Sequence, residues 1–347
     1  MRKARLKEQG EGYYHCMSRV IERRMRFRTT EKEVFCRMMR AVERFSGVRV
    51  LTYAVLGNHW HILAHVPEKK ELTDTEFLWR LGGIYDEETV GDIAGELEDL
   101  RSRGREAAAE RLRERYTYRM EEISEFMKTL KQRFTQWYNR VHNRRGTLWE
   151  ERFKSLLLEP PASSSADRAR TPQESALVTM AAYIDLNAVR VGLVEDPKDY
   201  RFCGYGEALG GEEAARAGLY EVAACLGASG SWRKVARAYR QYLYIRGEEQ
   251  VLADGRVRRG FKAKDVARVL REGGELSRSE LLRCRVRYFS DGVALGCREF
   301  VEQVYRQHRD QFGVRRRDGA RAMRGGEWGG LCTVRDLRMS VISVSAG

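Results

Sequence analysis

The stretch VRVLTYAVLGNHWHILAHV, residues 48–66, decides the fold. Its first half is rich in β-branched and aromatic residues, Gly57-Asn58 is a turn signal, and HWHILAHV (59–66) resumes strand character until Pro67 stops it. Two strands joined by a two-residue Gly-Asn turn predict a β-hairpin. Successive side chains on a strand face opposite sides. Trp60, Ile62, Ala64 and Val66 then form an apolar face that packs under helices, and His59 and His61 share the other. Two neutral imidazoles about 7 Å apart along a strand can converge on one metal ion. Taken alone, the pair reads equally well as two polar residues on a solvated face. His65 shares that face but lies too far along the strand to join them.

Outward from the hairpin, GYYHCMSR (12–19) has the short aromatic character of a strand. TEKEVFCRMMRAVERF (30–45) repeats apolar residues at Val34, Met38, Val42 and Phe45, which predicts a helix with Thr29 or Thr30 as its cap. Residues 68–121 are dense in Glu and Arg and read as helices inserted between core elements. ISEFMKTLKQRFTQWYNRVH (123–142) is a further amphipathic helix with Phe126, Leu130, Phe134, Trp137 and Val141 on one face, and residues 148–159 return to strand character. Residues 160–172 form a loop that closes on Thr171-Pro172-Gln173-Glu174, a helix-start signature for a helix over about 172–190. Its apolar stripe is Leu177, Ala181, Ile184, Ala188 and Val191. Beside the stripe runs a second row, Thr179, Tyr183, Asn187 and Arg190, in which Tyr183 and Asn187 sit one turn apart. A tyrosine hydroxyl beside an amide oxygen places a nucleophile next to a metal ligand; a tyrosine packed at a helix–sheet boundary has the same pattern.

The chain has 347 residues, 42% of them hydrophobic, which is enough for a packed core. Lys and Arg number 64 against 50 Asp and Glu, a formal charge of +14, which points to a polyanionic partner such as nucleic acid. No run approaches the ~20 apolar residues that span a bilayer, and the opening MRKARLKEQGEGYYH lacks the apolar core of a secretory signal. The seven cysteines are scattered without a CxxC pair, so reduced thiols and a cytoplasmic location are expected rather than a disulfide frame.

Four ordered segments, YYHCMSR, VLTYAVLGNHWHILAHVPE, FTQWYNRVHNRRGTLWEERFKS and AAYIDLNAVRVGLVEDPKDYRFCGY, resemble the single-tyrosine HUH transposases of the insertion-sequence and REP-associated group. The likeness covers about residues 10–207 apart from the insertion. It implies an α+β, ferredoxin-like sandwich with a central antiparallel sheet, a Mg²⁺ or Mn²⁺ ion bound by His59, His61 and Asn187, and Tyr183 as the nucleophile. The family often has Asn-Pro where this chain has Asn187-Ala188, a change that leaves the chemistry intact. The implied activity is nicking and strand transfer on single-stranded or hairpin DNA through a 5′-phosphotyrosine. A DNA-binding regulator that keeps the scaffold without transposition is the alternative, and a metal hydrolase that uses water is a third reading. In some relatives the tyrosine helix is exchanged between subunits, so monomer and homodimer both stay open, with the 160–172 loop as the place for exchange.

Arg190 is inferred as a phosphate clamp, and Arg140, Arg144, Arg145, Arg152 and Lys154 as DNA contacts, each also readable as solvated surface. Tyr138, in QWYNRVHNRR, is the competing nucleophile but has no ligand-type residue at the right spacing, and His142 reads as partnerless. The predicted organisation is a catalytic domain over 1–207 with the insertion at about 68–121, a mainly helical and possibly DNA-binding domain over 213–312, and a basic Gly/Arg-rich tail over 313–347. Within the second part, RVRYFS (285–290) is strand-like, and DVARVLREGGELSRSELLR (265–283) has the pattern of a helix–turn–helix, equally that of a small bracing helical domain.

Overall fold

A computed structural model of the protein describes residues 6–8, 10–161, 175–244, 287–323 and 328–334. The hairpin forms as predicted: β2 (Arg49–Val55) pairs antiparallel with β3 (His59–Val66), and the Leu56 N–H donates to the His59 carbonyl across Gly57-Asn58. β3 also pairs antiparallel with β1 (Gly12–Arg19), which pairs on its far side with β4 (Lys154–Leu158). The first four strands therefore lie in the order β2-β3-β1-β4, inside a mostly antiparallel sheet that has seven strands among the described residues. β4 is shorter than the predicted 148–159 strand, because before Lys154 only Trp149 bridges to Val20.

Helix α1 (Thr29–Ser46) connects β1 to β2 and α5 (Ile123–Val141) leads to β4. Arg28, not a threonine, is the N-cap of α1, where its N–H donates to the Glu31 carboxylate at 2.8 Å; Gly47 ends the helix in the left-handed region, φ +72°. α1 and α5 pack on the apolar face of the hairpin. The Trp60 ring meets Phe35 at 5.6 Å, and Phe134 meets Phe35 at 5.2 Å. Between β3 and α5 stand α2 (Asp74–Leu81), α3 (Glu87–Ser102) and α4 (Glu106–Thr117), the expected helical insertion. It has its own core of Phe77, Leu81, Ile93, Leu97 and Leu112, joined to the main body through Phe45 and a buried Arg80–Glu121 ion pair of 2.8 Å.

The opposite face of the sheet is covered by α6 (Ala176–Asp185) and α9 (Glu213–Ala224). α9 lies so close to β2 that a Cβ on Gly218 would sit 2.4 Å from the Leu51 carbonyl oxygen, so only glycine fits there. Ser175 caps α6, its hydroxyl accepting from the Val178 N–H; the Thr171–Glu174 start signature lies outside the described residues. Every residue of α6 is buried, because the sheet lies on one side and α10 (Trp232–Tyr244) contributes Tyr239 and Tyr242 on another. A short helix α7 (Asn187–Arg190) continues α6 after Leu186, and Val191, expected in the apolar stripe, is exposed where the helix ends. α8 (Gly204–Leu209) follows.

The C-terminal part differs from its sequence reading. Of the strand-like run 285–290, the described residues 287–290 lie in a helix, α11 (Arg287–Asp291), which buries Phe289. Then β5 (Ala294–Gly296) pairs parallel with β4, α12 (Arg298–Gln307) follows, and β6 (Arg321–Ala322) and β7 (Cys332–Val334) complete the sheet beyond β5. The described residues of 313–347, a stretch expected to form a basic tail, thus contribute two strands, since Trp328, Leu331, Cys332 and Val334 bury enough apolar surface to hold them. The helix–turn–helix pattern at 265–283 lies outside the described residues. The architecture is α+β, and no described helix is long and apolar enough to cross a membrane.

Candidate functional site

Strand alternation sets His59, His61, Leu63 and His65 on the face covered by α6, and the register with β1 adds Arg19 opposite His59, Met17 opposite His61 and His15 opposite Leu63. Tyr183, on α6, reaches this row. Its ring stands edge-on to His61 at 6.1 Å and to His15 at 6.5 Å, within one chain. Phe289 closes the far side, 4.8 Å from the Tyr183 ring. Among the described residues no hydrogen bond ties the Tyr183 hydroxyl, whereas those of Tyr239 and Tyr200 donate to Asp185 and to the Val55 carbonyl.

The break between α6 and α7 brings Arg190 back over the tyrosine. Its guanidinium carbon lies 3.9 Å from the ring centroid, and Nη2 donates to the Tyr183 carbonyl at 2.8 Å. The same cation acts on His61, as does Arg19. Burial above all, then the neighbouring His15, His59, Arg190 and Arg19, hold His61 well below the usual histidine range. Burial likewise pulls His15 down to about 4. Both imidazoles are therefore neutral near pH 7. The His59 ring is oriented by its neighbour: Asn58 Nδ2 donates to the Arg23 carbonyl, which leaves Asn58 Oδ1 to accept from His59 Nδ1 at 2.7 Å. His59 consequently carries its lone pair on Nε2.

Among the described residues no group of three His, Cys, Asp or Glu side chains is arranged around a common metal position. Asn187, expected as a ligand with His59 and His61, is 3% exposed at the start of α7, and its Nδ2 finds no partner. Turning that amide over would put an unpaired oxygen in the same place, since its two ends are assigned from their partners. Imidazole nitrogens suit a divalent transition ion and an amide oxygen suits Mg²⁺ or Mn²⁺, so of the two expected ions Mn²⁺ fits such a mixed set better.

The other residues marked in the sequence separate into two groups. Lys154 lies on the histidine face, next to Met17 and two strands from His61. Arg140 and Arg144 end α5 or follow it on the opposite layer, Arg144 stacking 5.9 Å over Tyr138, and Arg145 and Arg152 are exposed in the connection to β4. None of these four is joined to Tyr183 or the histidines by a contact among the described residues. Tyr138 is buried on α5, across the sheet from the histidines, and stacks on His142 at 4.1 Å. His142 is not partnerless: its Nε2 lies 3.0 Å from Glu31. His65 is taken up by Glu11, Glu221 and Arg49 and by stacking on Tyr13, 4.4 Å away.

Sequence reasoning passed over His15, Arg19 and Asp185. The first two share parity with Tyr13 and Met17 along β1, which is legible, but their meeting with His61 and His59 needs the β1–β3 register. Asp185 is fully buried at the end of α6, accepting from Thr52 Oγ1 at 2.7 Å, Tyr239 Oη at 2.6 Å and the Tyr205 N–H at 3.2 Å.

Fold and side chains define an α+β protein with a buried histidine row and an unengaged tyrosine hydroxyl on one face of its sheet. No protein-family model and no curated protein matches the chain. Among solved structures, that of a REP-associated tyrosine transposase bound to a REP hairpin is similar at a TM-score of 0.33 and 15% identity, over 61% of this chain and 87% of that one. So loose a likeness says nothing of function, which has to be read from the side chains themselves.

Proposed function

We propose that this protein cuts and rejoins single-stranded or hairpin DNA by tyrosine transesterification, and that the β2-β3-β1-β4 sheet with α1 and α5 is a ferredoxin-like catalytic core. The observation that carries the reading is the placement of Tyr183, its hydroxyl unengaged, against His61 and under Arg190. Tyr183 Oη attacks the scissile phosphorus, the bond to the 3′ oxygen breaks, and the 5′ phosphate stays on the tyrosine. One phosphodiester replaces another, so a later 3′ hydroxyl can reverse the exchange without an external energy source. A Mg²⁺ or Mn²⁺ ion held by His59, His61 and Asn187 would supply Lewis-acid stabilisation of charge on the phosphate and the departing oxygen. Arg190 and Lys154 add positive charge around the transferring group, Arg190 also holding the tyrosine ring. Phe289 walls the tyrosine from one side and limits access of water.

The test uses single-stranded DNA with hairpins from the gene's flanks, labelled at either end, with Mg²⁺ or Mn²⁺ and with EDTA. A 3′ label is expected to run with the protein on a denaturing gel, and a 5′ label as a shorter strand with a free 3′ hydroxyl, both only with metal. Retarded DNA on a native gel with no denaturation-resistant band would contradict this and favour a DNA-binding regulator. A free 5′ phosphate without an adduct would favour hydrolysis by water.

A further inference from the structure

We propose that Met25, in a basic loop beside the histidine row, is a wedge that packs against the bases of single-stranded DNA next to the cut, with Arg23, Arg24 and Arg26 on the flanking phosphates; this rests on the function proposed above. Residues 20–28, VIERRMRFR, join β1 to α1 and fold over the tip of the β2–β3 hairpin. Three hydrogen bonds hold them there. The Val20 N–H donates to the Asn58 carbonyl, the Phe27 N–H to the Gly57 carbonyl and Asn58 Nδ2 to the Arg23 carbonyl, each at 2.8 Å. Phe27 anchors the end of the loop, 3% exposed and edge-on to Phe134 at 5.2 Å. Between these anchors Glu22 and Arg23 have φ of 58° and 55°, left-handed backbone that residues with a Cβ adopt only at a cost. In so well anchored a loop Met25 is nevertheless 70% exposed, although methionine is ordinarily a buried residue. Its methyl rests on the backbone of Gly57, where a Cβ would collide with it.

The position of the loop and its charge select the ligand. Asn58 holds Arg23 through Nδ2 and His59 Nδ1 through Oδ1, the latter at 2.7 Å, so the loop and the first histidine of the row hang on one side chain. Arg19, opposite His59, is the last residue of β1 before the loop. A strand whose phosphate lies at the histidines has its neighbouring nucleotides beside Met25. Arg23 and Arg24 are exposed, and the carboxylates they meet, Glu150 at 3.5 Å and Glu22 at 2.6 Å, form solvent-facing ion pairs that a phosphate can replace. An apolar side chain ringed by cations fits a polyanion that also offers apolar faces. Unpaired bases offer such faces, and methionine is among the side chains that wedge between bases.

The experiment uses the full chain in EDTA, so that binding is read without chemistry. Hairpin-bearing single strands carry 2-aminopurine, whose fluorescence rises when the base is unstacked, at successive positions outward from the foot of the hairpin. Wild type is expected to brighten at least one position. Met25→Ala is expected to lose that rise and to bind about 10-fold more weakly, and Met25→Leu to keep both. Salt dependence is expected to be unchanged in Met25→Ala, whereas Arg24→Gln lowers the slope of log K against log salt by about 0.7. Thermal unfolding of Met25→Ala is expected to match wild type, because the side chain is exposed. The proposal is overturned if no position brightens, or if Met25→Ala binds and brightens as wild type does. Covalent capture with Mn²⁺, run beside it, judges the function separately. An adduct without any effect of Met25→Ala leaves transesterification standing and removes the wedge; unstacking that depends on Met25, with no adduct, keeps the wedge and removes transesterification.

Discussion

Replacing Tyr183 by Phe is expected to abolish covalent capture of DNA, with strand cleavage reduced on the order of 10⁶-fold, as when a covalent nucleophile is removed from other enzymes. Stability should hold within about 0.5 kcal/mol. The ring keeps its contacts with His15, His61, Phe289 and Arg190, and no described hydrogen bond to the hydroxyl is lost. Thermal unfolding and native-gel DNA binding measured beside the cleavage assay separate this outcome from misfolding. Equal cleavage by the variant would remove Tyr183 from the chemistry.

The second large effect falls on Asp185, two residues along the same helix. Its carboxylate gathers β2, α8 and α10 onto the end of the tyrosine helix through Thr52, Tyr205 and Tyr239. Asp185→Ala strands these three buried donors, each worth about 1–3 kcal/mol, so a loss of about 3–5 kcal/mol and a Tm lower by roughly 10 °C are expected. Burial, only partly offset by the three hydrogen bonds, raises the carboxyl to about 6. In the unfolded chain the group titrates near about 3.9, so between those values the folded protein holds a proton that the unfolded chain has released. This contribution, roughly 3 kcal/mol, is whole below about pH 4 and is lost as the pH rises through about 6. Asp185→Asn keeps the shape without the charge. The stability of the wild type minus that of Asp185→Asn, from denaturant unfolding, should therefore fall between about pH 4 and 6 and be flat above about 7. A difference that rises with pH across that window would show an ionised carboxylate favoured in the fold.

The hairpin was legible because its alternation, turn and terminating proline all agree, and the insertion because its composition shifts from its neighbours. The tail misled because Arg and Gly outnumber the few residues that matter. Trp328, Leu331 and Val334 recur every third residue, not at a strand's period of two, and β7 finds its place only by pairing antiparallel with β5, well before it in sequence. RVRYFS misled because local β-character is overridden once Phe289 has a place against Tyr183 and Trp328. In the site, Tyr183, His59, His61, Asn187 and Arg190 could be marked from spacing and resemblance. His15 could not, because a lone histidine in GYYHCMSR gains its meaning only from strand register and from its 2.8 Å contact with His61. The basic residues show the same limit: charge alone does not tell Lys154, on the histidine face, from Arg140 and Arg144, on the other layer.

The most direct test is to identify the residue that carries DNA. Protein incubated with a hairpin-bearing single strand and Mn²⁺ is denatured, digested with trypsin and nuclease, and sequenced by mass spectrometry. A nucleotide phosphate is predicted on Tyr183 and on no other tyrosine. A nucleotide on Tyr138, across the sheet, or cleaved DNA with every tyrosine unmodified, would contradict tyrosine transesterification at this site.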